Sequence, residues 1–193
     1  APDTVPHKHT RLSLELDNGN RLDFIDPRKF GRCVPTRHLE DALPELGPEP
    51  LEGEFTEAFL LEGFRCRRGR IKALLLDQSF LAGLGNIYVD ESLFAARIHP
   101  QSPACSIPRH KVRALFSAIR ETLEEAILRE GSSFDTFYRT PEGQPGSYQH
   151  QFQVYGRHGK PCRVCERALK RIVVAQRGTH FCSNCQRLPR KGA

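Results

Sequence analysis

Apolar residues recur along this chain with two different periods. Leu12, Leu14 and Leu16 alternate with Ser13 and Glu15, and beyond Asp17-Asn18-Gly19-Asn20 a second alternation brings Leu22, Phe24 and Asp26. A period of two on either side of a turn predicts a β-hairpin with one apolar face. A two-residue Asn-Gly turn sets Leu14 opposite Asp23, whereas a three-residue loop ending in Gly19 pairs Leu14 with Leu22 and Leu12 with Phe24. The second register gathers the apolar side chains on one face and is the one expected. Pro27 removes a ladder donor and ends the second strand, leaving Arg28-Lys29-Phe30-Gly31 as an exposed loop.

Beyond this the period lengthens. Pro35 to Pro50, with prolines, charges and short apolar spacing, reads as a linker. Phe55 to Leu61, Ile71 to Leu76, and then Val112, Leu115, Phe116, Ile119, Leu123 and Ile127 follow helical spacing. The last of these helices is expected to begin near Ser106-Ile107-Pro108 and to stop at Gly131. Residues 131–150, rich in Gly, Ser, Pro and Gln, form a long loop of the kind that carries function or mobility. No internal repeat is present.

Composition narrows the class. With 38% hydrophobic and 27% charged residues in 193, the chain suits a globular protein with one fair-sized core or two small ones, so disordered and fibrous classes are set aside. No apolar run reaches the roughly 20 residues of a membrane helix, and Ala1 to Thr10 holds two prolines and no signal-like stretch. A cytoplasmic location and no membrane partner are expected. The charge is uneven: Arg157 to Ala193 carries ten Lys and Arg against Glu166 alone. That +9 exceeds the +6 of the whole chain and leaves the first 156 residues at −3. A basic module this compact suits a polyanion, most simply nucleic acid, although a solvated basic tail would show the same count.

Seven cysteines divide into three scattered ones, Cys33, Cys66 and Cys105, and two tight pairs. Cys162-x2-Cys165-x16-Cys182-x2-Cys185 has the spacing of a four-thiolate zinc site, each pair on a turn and the intervening residues long enough for a hairpin. Two disulfides are the competing reading, disfavoured by the odd total and the reducing compartment expected. Such a closed site is structural, so one Zn2+ should hold the hairpin rather than perform catalysis. Arg171 to Val174 and Thr179 to Phe181 are strand-like, with the bend expected at Gln176-Arg177-Gly178. Arg177 at its tip is placed to enter a nucleic-acid groove.

Two weaker constellations accompany it. After an apolar helix, Gly83-Leu84-Gly85 leads into a helix starting near Asn86, and a helix N-terminus beside glycines offers free N–H groups to a phosphate. Upstream, Arg65, Arg67, Arg68, Arg70 and Lys72 form an acid-free basic run that would flank the same phosphates or simply be solvated. In the loop after Pro27, Arg28 and Phe30 suit insertion into a duplex, the ring wedging between bases and the guanidinium meeting a base edge. Phe30 in the core is the plain alternative.

Together these segments resemble the formamidopyrimidine-DNA glycosylase family, also called MutM, within the group that includes endonuclease VIII. The resembling stretches are KHTRLSLELDNGNRLDFIDPRKFGR, IKALLLDQSFLAGLGNIYVDESLFAARIHP, GQPGSYQHQFQVYGRHGKPC and RIVVAQRGTHFCSNCQ, in the family's order from about His7 to Gln186. The resemblance implies an α+β protein: a partial β-sandwich (1–35), a linker (36–50), a helix-two-turn-helix domain with a lesion-closing loop (51–150, loop 131–150), and a C-terminal zinc-finger β-hairpin (151–193). It implies base-excision repair on double-stranded DNA containing oxidised bases or abasic sites, by a monomer. The reaction is excision of 8-oxoguanine or formamidopyrimidine by a bifunctional glycosylase and abasic-site lyase, followed by β,δ-elimination.

By this resemblance Arg28 and Phe30 fill the space of the flipped base, with Arg28 facing the orphaned cytosine. His9, Arg67, Lys72 and Asn86 contact DNA, mostly phosphates. Arg177 grips the lesion-flanking phosphates and takes a catalytic part in δ-elimination, and the loop from Thr140 to Gln149 closes over the damaged base. Arg28-x-Phe30 and this loop favour the formamidopyrimidine branch over endonuclease VIII. Family members begin Pro-Glu, the proline amine being the nucleophile, whereas this chain begins Ala1-Pro2-Asp3, in which Pro2 is acylated. The expectation is a chain lacking the catalytic N-terminal Pro-Glu, the early lysine and about half of the sandwich. The alternative is a non-catalytic, zinc-dependent damaged-DNA-binding fragment or pseudo-enzyme. A generic zinc ribbon for RNA or protein leaves the Asn86 turn and the Arg28 loop without a role.

Overall fold

A computed structural model describes residues 5–38, 45–133 and 144–189. The chain divides into two compact units, residues 1–44 and 45–193.

In the first unit, β1 (Thr10–Glu15) and β2 (Arg21–Ile25) pair antiparallel with Leu12 opposite Phe24 and Leu14 opposite Leu22. This is the register that apolar matching predicts. The loop holds three residues, closed by the Leu16 N–H donating to the Asn20 carbonyl at 2.8 Å. Gly19 takes a φ of +76°, the left-handed conformation such a loop requires.

The second unit is helical. In α1 (Glu57–Arg65), Thr56 caps the start by accepting the Phe59 N–H on its hydroxyl at 3.1 Å, and Leu60 and Phe64 turn inward together. The short α2 (Ile71–Leu75) precedes a turn that leads into α3 (Asn86–Ala95), and α4 (Arg109–Leu128) follows Pro108. Helix α4 turns Val112, Leu115, Ala118 and Ile119 inward. α3 is the central helix, with its run from Val89 to Phe94 entirely buried, Asp90, Glu91 and Ser92 included. The main core joins these helices through Phe55, Phe64, Leu75, Phe80, Leu93 and Leu115. Residues 45–50, read as linker, pack on this core: the Gly47 N–H donates to the Gln78 carbonyl at 2.9 Å and the Pro48 carbonyl accepts from Ala82 at 3.1 Å.

The C-terminal hairpin joins β3 (Lys170–Val174) to β4 (Arg177–Phe181), with Val174 opposite Arg177. The bend therefore consists of Ala175 and Gln176, at φ of +49° and +58°. Both central residues are left-handed, the twist that suits a two-residue hairpin turn. Gly178, read in the sequence as part of the bend, lies inside β4. No described helix is long and apolar enough to cross a membrane.

Candidate nucleic-acid interface and metal centre

The sulfur atoms of Cys162, Cys165, Cys182 and Cys185 all lie within 4.8 Å of one another. Cys162 and Cys185 are 3.9 Å apart and Cys165 and Cys182 are 3.4 Å apart. A disulfide needs about 2.05 Å, whereas a tetrahedron with Zn–S bonds of about 2.3 Å has edges of about 3.8 Å. The spacing therefore fits one tetrahedral ion and excludes the disulfide reading. The thiols also divide in acidity. N–H donation from Arg167 draws Cys165 down to about 6, while burial raises Cys182 and pushes Cys185 up to about 12. Four thiolates so close together repel one another unless a cation neutralises them, which is the chemistry a divalent ion supplies. With four protein ligands no position remains for substrate, so the ion's work is to hold the hairpin. Behind it, the Gln186 side chain is almost fully buried, accepting the Cys182 N–H at 2.9 Å and donating to the Ile98 carbonyl at 2.9 Å.

The hairpin brings Arg177 to the start of α3. Leu76, Gln78, Gly83, Leu84, Gly85, Asn86 and Arg177 line an open pocket of about 440 Å3. The turn before α3 is shaped by Gln78, which accepts the Gly83 N–H at 2.9 Å and donates to the Leu76 and Leu84 carbonyls at 3.3 and 3.4 Å. Gly83 sits at φ +73°, and the N-cap of α3 is Gly85, which has no side chain to cap the first turn. The N–H groups at the α3 N-terminus, the positive end of the helix dipole and an exposed guanidinium converge on one pocket, an arrangement complementary to a phosphate.

Asn86 and Lys72 do not both belong to that pocket. Asn86 lines it and donates to the Gly178 carbonyl at 3.1 Å. Lys72, expected as a DNA contact, is instead fully buried, its ammonium 2.6 Å from Asp90 and 3.2 Å from the Gly178 carbonyl. Burial holds Lys72 below the ordinary lysine range against the pull of Asp90, and the nearby positive charge of Arg177 adds to the lowering. Within the basic run, Arg65 pairs on the surface with Glu62 at 3.7 Å. The exposed Arg67 lays its guanidinium 5.0 Å from the Phe80 ring centre.

Two acids that the sequence reading passed over organise the second unit. Asp90 accepts from Lys72 on one oxygen and from the His180 N–H, at 2.8 Å, on the other. The neighbouring Glu91 accepts the N–H groups of Gln153, Val154 and Tyr155 at 2.8, 3.0 and 2.8 Å, anchoring the segment that leads into the zinc hairpin. Burial raises the Glu91 carboxyl while those three donors oppose the rise. A signal was available: apart from its N-terminus, the helix starting at Asn86 has no polar face to expose two adjacent acids, so they require buried partners.

In the first unit, Asp26 holds the loop before Gly31. Its carboxylate accepts the N–H groups of Arg28 and Lys29 at 2.9 Å and of Gly31 at 2.7 Å, and these donors, Gly31 foremost, keep it below the usual carboxylate range. A side chain at Gly31 would collide with the Phe24 ring. The loop presents Phe30 78% exposed, with the Arg28 guanidinium 5.3 Å from its ring centre, so the core reading of Phe30 fails. His9, at the foot of β1, stands 5.3 Å from the His7 ring.

Of the loop 131–150, residues 134–143 lie outside the described residues. Its feet are bonded together: Ser133 Oγ accepts the Gly146 N–H at 2.9 Å, and the Ser133 N–H donates to Gln149 Oε1 at 3.1 Å.

A helix-two-turn-helix unit carrying a four-cysteine hairpin defines a recognised class. Residues 46–138 match the family model described as the formamidopyrimidine-DNA glycosylase H2TH domain, and residues 159–188 that of the zinc finger found in FPG and IleRS. The formamidopyrimidine-DNA glycosylase of Chloroflexus aurantiacus is 48% identical over 191 residues, covering 96% of this chain and 67% of that protein. The crystal structure of the MutM (Fpg) protein from Thermus thermophilus superposes with a TM-score of 0.86 at 44% identity, over 96% of this chain and 71% of that one. The Lactococcus lactis Fpg in complex with FAPY-dG containing DNA gives 0.84 at 37% identity, over 96% and 68%. The chain belongs to the formamidopyrimidine-DNA glycosylase family and spans about two thirds of the length of these relatives.

Proposed function

We propose that this chain binds duplex DNA at oxidised purines and abasic sites, as part of a base-excision repair glycosylase that also cleaves the resulting abasic site. The observation that carries this reading is the pocket shared by Asn86, the Gly83–Gly85 turn and Arg177. In it the α3 N-terminus and one guanidinium face the same space, so a phosphodiester gains hydrogen bonds and charge neutralisation together. Support also comes from the Lactococcus lactis relative, which was crystallised on DNA containing FAPY-dG.

Each group then has a task. Arg177 and the N–H groups at the α3 N-terminus hold the backbone phosphate, and Arg177 serves the later elimination. Arg67 adds a cation to the same strand path. On the first unit, the exposed Phe30 ring replaces the extruded base and Arg28 meets the base left opposite, while His9 contacts a flanking phosphate. One zinc, held by Cys162, Cys165, Cys182 and Cys185, fixes β3 and β4 so that Arg177 is in place before DNA arrives.

A salt titration of binding tests this, using duplexes with 8-oxoguanine opposite cytosine, with an abasic-site analogue, and without damage. The damaged duplexes are expected to bind more tightly. Arg177→Ala should weaken binding to all three and reduce the slope of log affinity against log salt by about one. Equal affinity and slope in the variant would overturn the phosphate role.

A further inference from the structure

Lys72 and Asp90 have fully buried side chains 2.6 Å apart, and neither lines the pocket. An ion pair at this depth sacrifices the hydration of both charges, and an apolar pair of equal volume is often as stable. Its role must therefore lie in what else the two side chains hold. Lys72 donates to the Gly178 carbonyl at 3.2 Å, Asp90 accepts the His180 N–H at 2.8 Å, and Asn86 donates to the same Gly178 carbonyl at 3.1 Å. α2 and α3 thus grip the backbone of β4 at residues 178 and 180, one and three residues beyond Arg177. On the other side of this backbone the Arg171 guanidinium packs over Gly178, 2.9 Å from where a Cβ would stand.

The geometry points to Lys72 and Asp90 as positioning residues for Arg177: a buried latch that sets the register of the zinc hairpin over the α3 N-terminus. Both side chains are buried and neither lines the pocket. They act by fixing the backbone from which the Arg177 guanidinium projects into the pocket. The inference rests on the proposed role of Arg177 in binding DNA.

A double-mutant cycle on the zinc-loaded 193-residue chain tests it, with a duplex carrying a tetrahydrofuran abasic-site analogue as probe. Asp90→Asn should weaken binding about tenfold when Arg177 is present, within the coupling seen between sites that share a network. In the Arg177→Ala background the same change should have almost no effect. An equal loss in both backgrounds would overturn the latch. Arg177→Ala binding as tightly as the parent would instead sink the DNA role of Arg177, and hydrogen exchange then decides the latch separately. The His180 amide should exchange faster in Asp90→Asn while the amides of α4 do not change, and an unchanged His180 amide refutes the inference. Should Asp90→Asn fail to retain zinc, the apolar pair Lys72→Met with Asp90→Leu removes both charges and keeps the interior filled. That variant should fold, keep one zinc and still lose Arg177-dependent binding, whereas full binding would show a merely structural pair.

Discussion

Two cationic side chains are presented in contrasting ways. Arg28 stands on a loop held by a carboxylate within five residues of everything it binds, Asp26, on the surface of a hairpin with little interior. Arg177 stands on a strand held by Lys72, Asn86 and Asp90, each at least 90 residues from the backbone group it grips, and by a four-sulfur centre. The first arrangement is local: it survives as long as one turn survives, and it disturbs little when lost. The second depends on the whole helical unit, so it is more rigid and more easily lost at a distance. The proposed gap-filling role of the Arg28 loop tolerates the first kind of support, whereas the proposed phosphate role of Arg177 needs the second.

The comparison can be broken most forcefully at the zinc. Chelation should abolish damaged-DNA binding and collapse the signals of residues 159–188, while leaving α1 to α4 largely folded; far-UV circular dichroism together with a mobility shift measures both. A chain that still binds after verified zinc removal would make the second arrangement no more fragile than the first. Glu91→Ala should come next, because it strands the N–H groups of Gln153, Val154 and Tyr155 in the interior; a loss of about 3 kcal/mol in urea denaturation is expected. The smallest effect belongs to Asp26. Because its folded-state pKa is depressed, the order it confers is fully present above the unfolded carboxylate value of about 3.9 and disappears as pH falls through its lower folded value. The Gly31 amide shift should therefore titrate with a midpoint below that of an ordinary aspartate. Asp26→Asn should shift the urea midpoint little, and a large shift would show that the loop is wired into more than its own turn.

The same division governs what was legible in the sequence. The β1–β2 register followed from pairing Leu14 with Leu22, and the zinc ligands followed from spacing alone, because both are settled by residues close together. The loop holding Phe30 was found, but its organiser was not, since an aspartate before Pro27 looks like any strand end. In a run of basic residues nothing marks Lys72 as the one whose counter-ion lies 18 residues further on. Gly178 was read as a bend for the usual reason that glycine marks turns. In the structure it sits where α2 and α3 approach β4, and Ala175 and Gln176 make the turn without any glycine. Asp90 and Glu91 carried a clue, two adjacent acids in a helix with hardly any polar face, and that clue needed only the question of where their partners lie.

The bonded feet at Ser133 and Gly146 have a consequence for how the length between them can vary. The hydrogen bonds joining Ser133 to Gly146 and Gln149 fix the two ends of an excursion in the chain. Closing such an excursion costs only about 0.6 kcal/mol more for each doubling of its length. A change of length between Ser133 and Gly146 is therefore expected to leave α4 and the zinc hairpin in place.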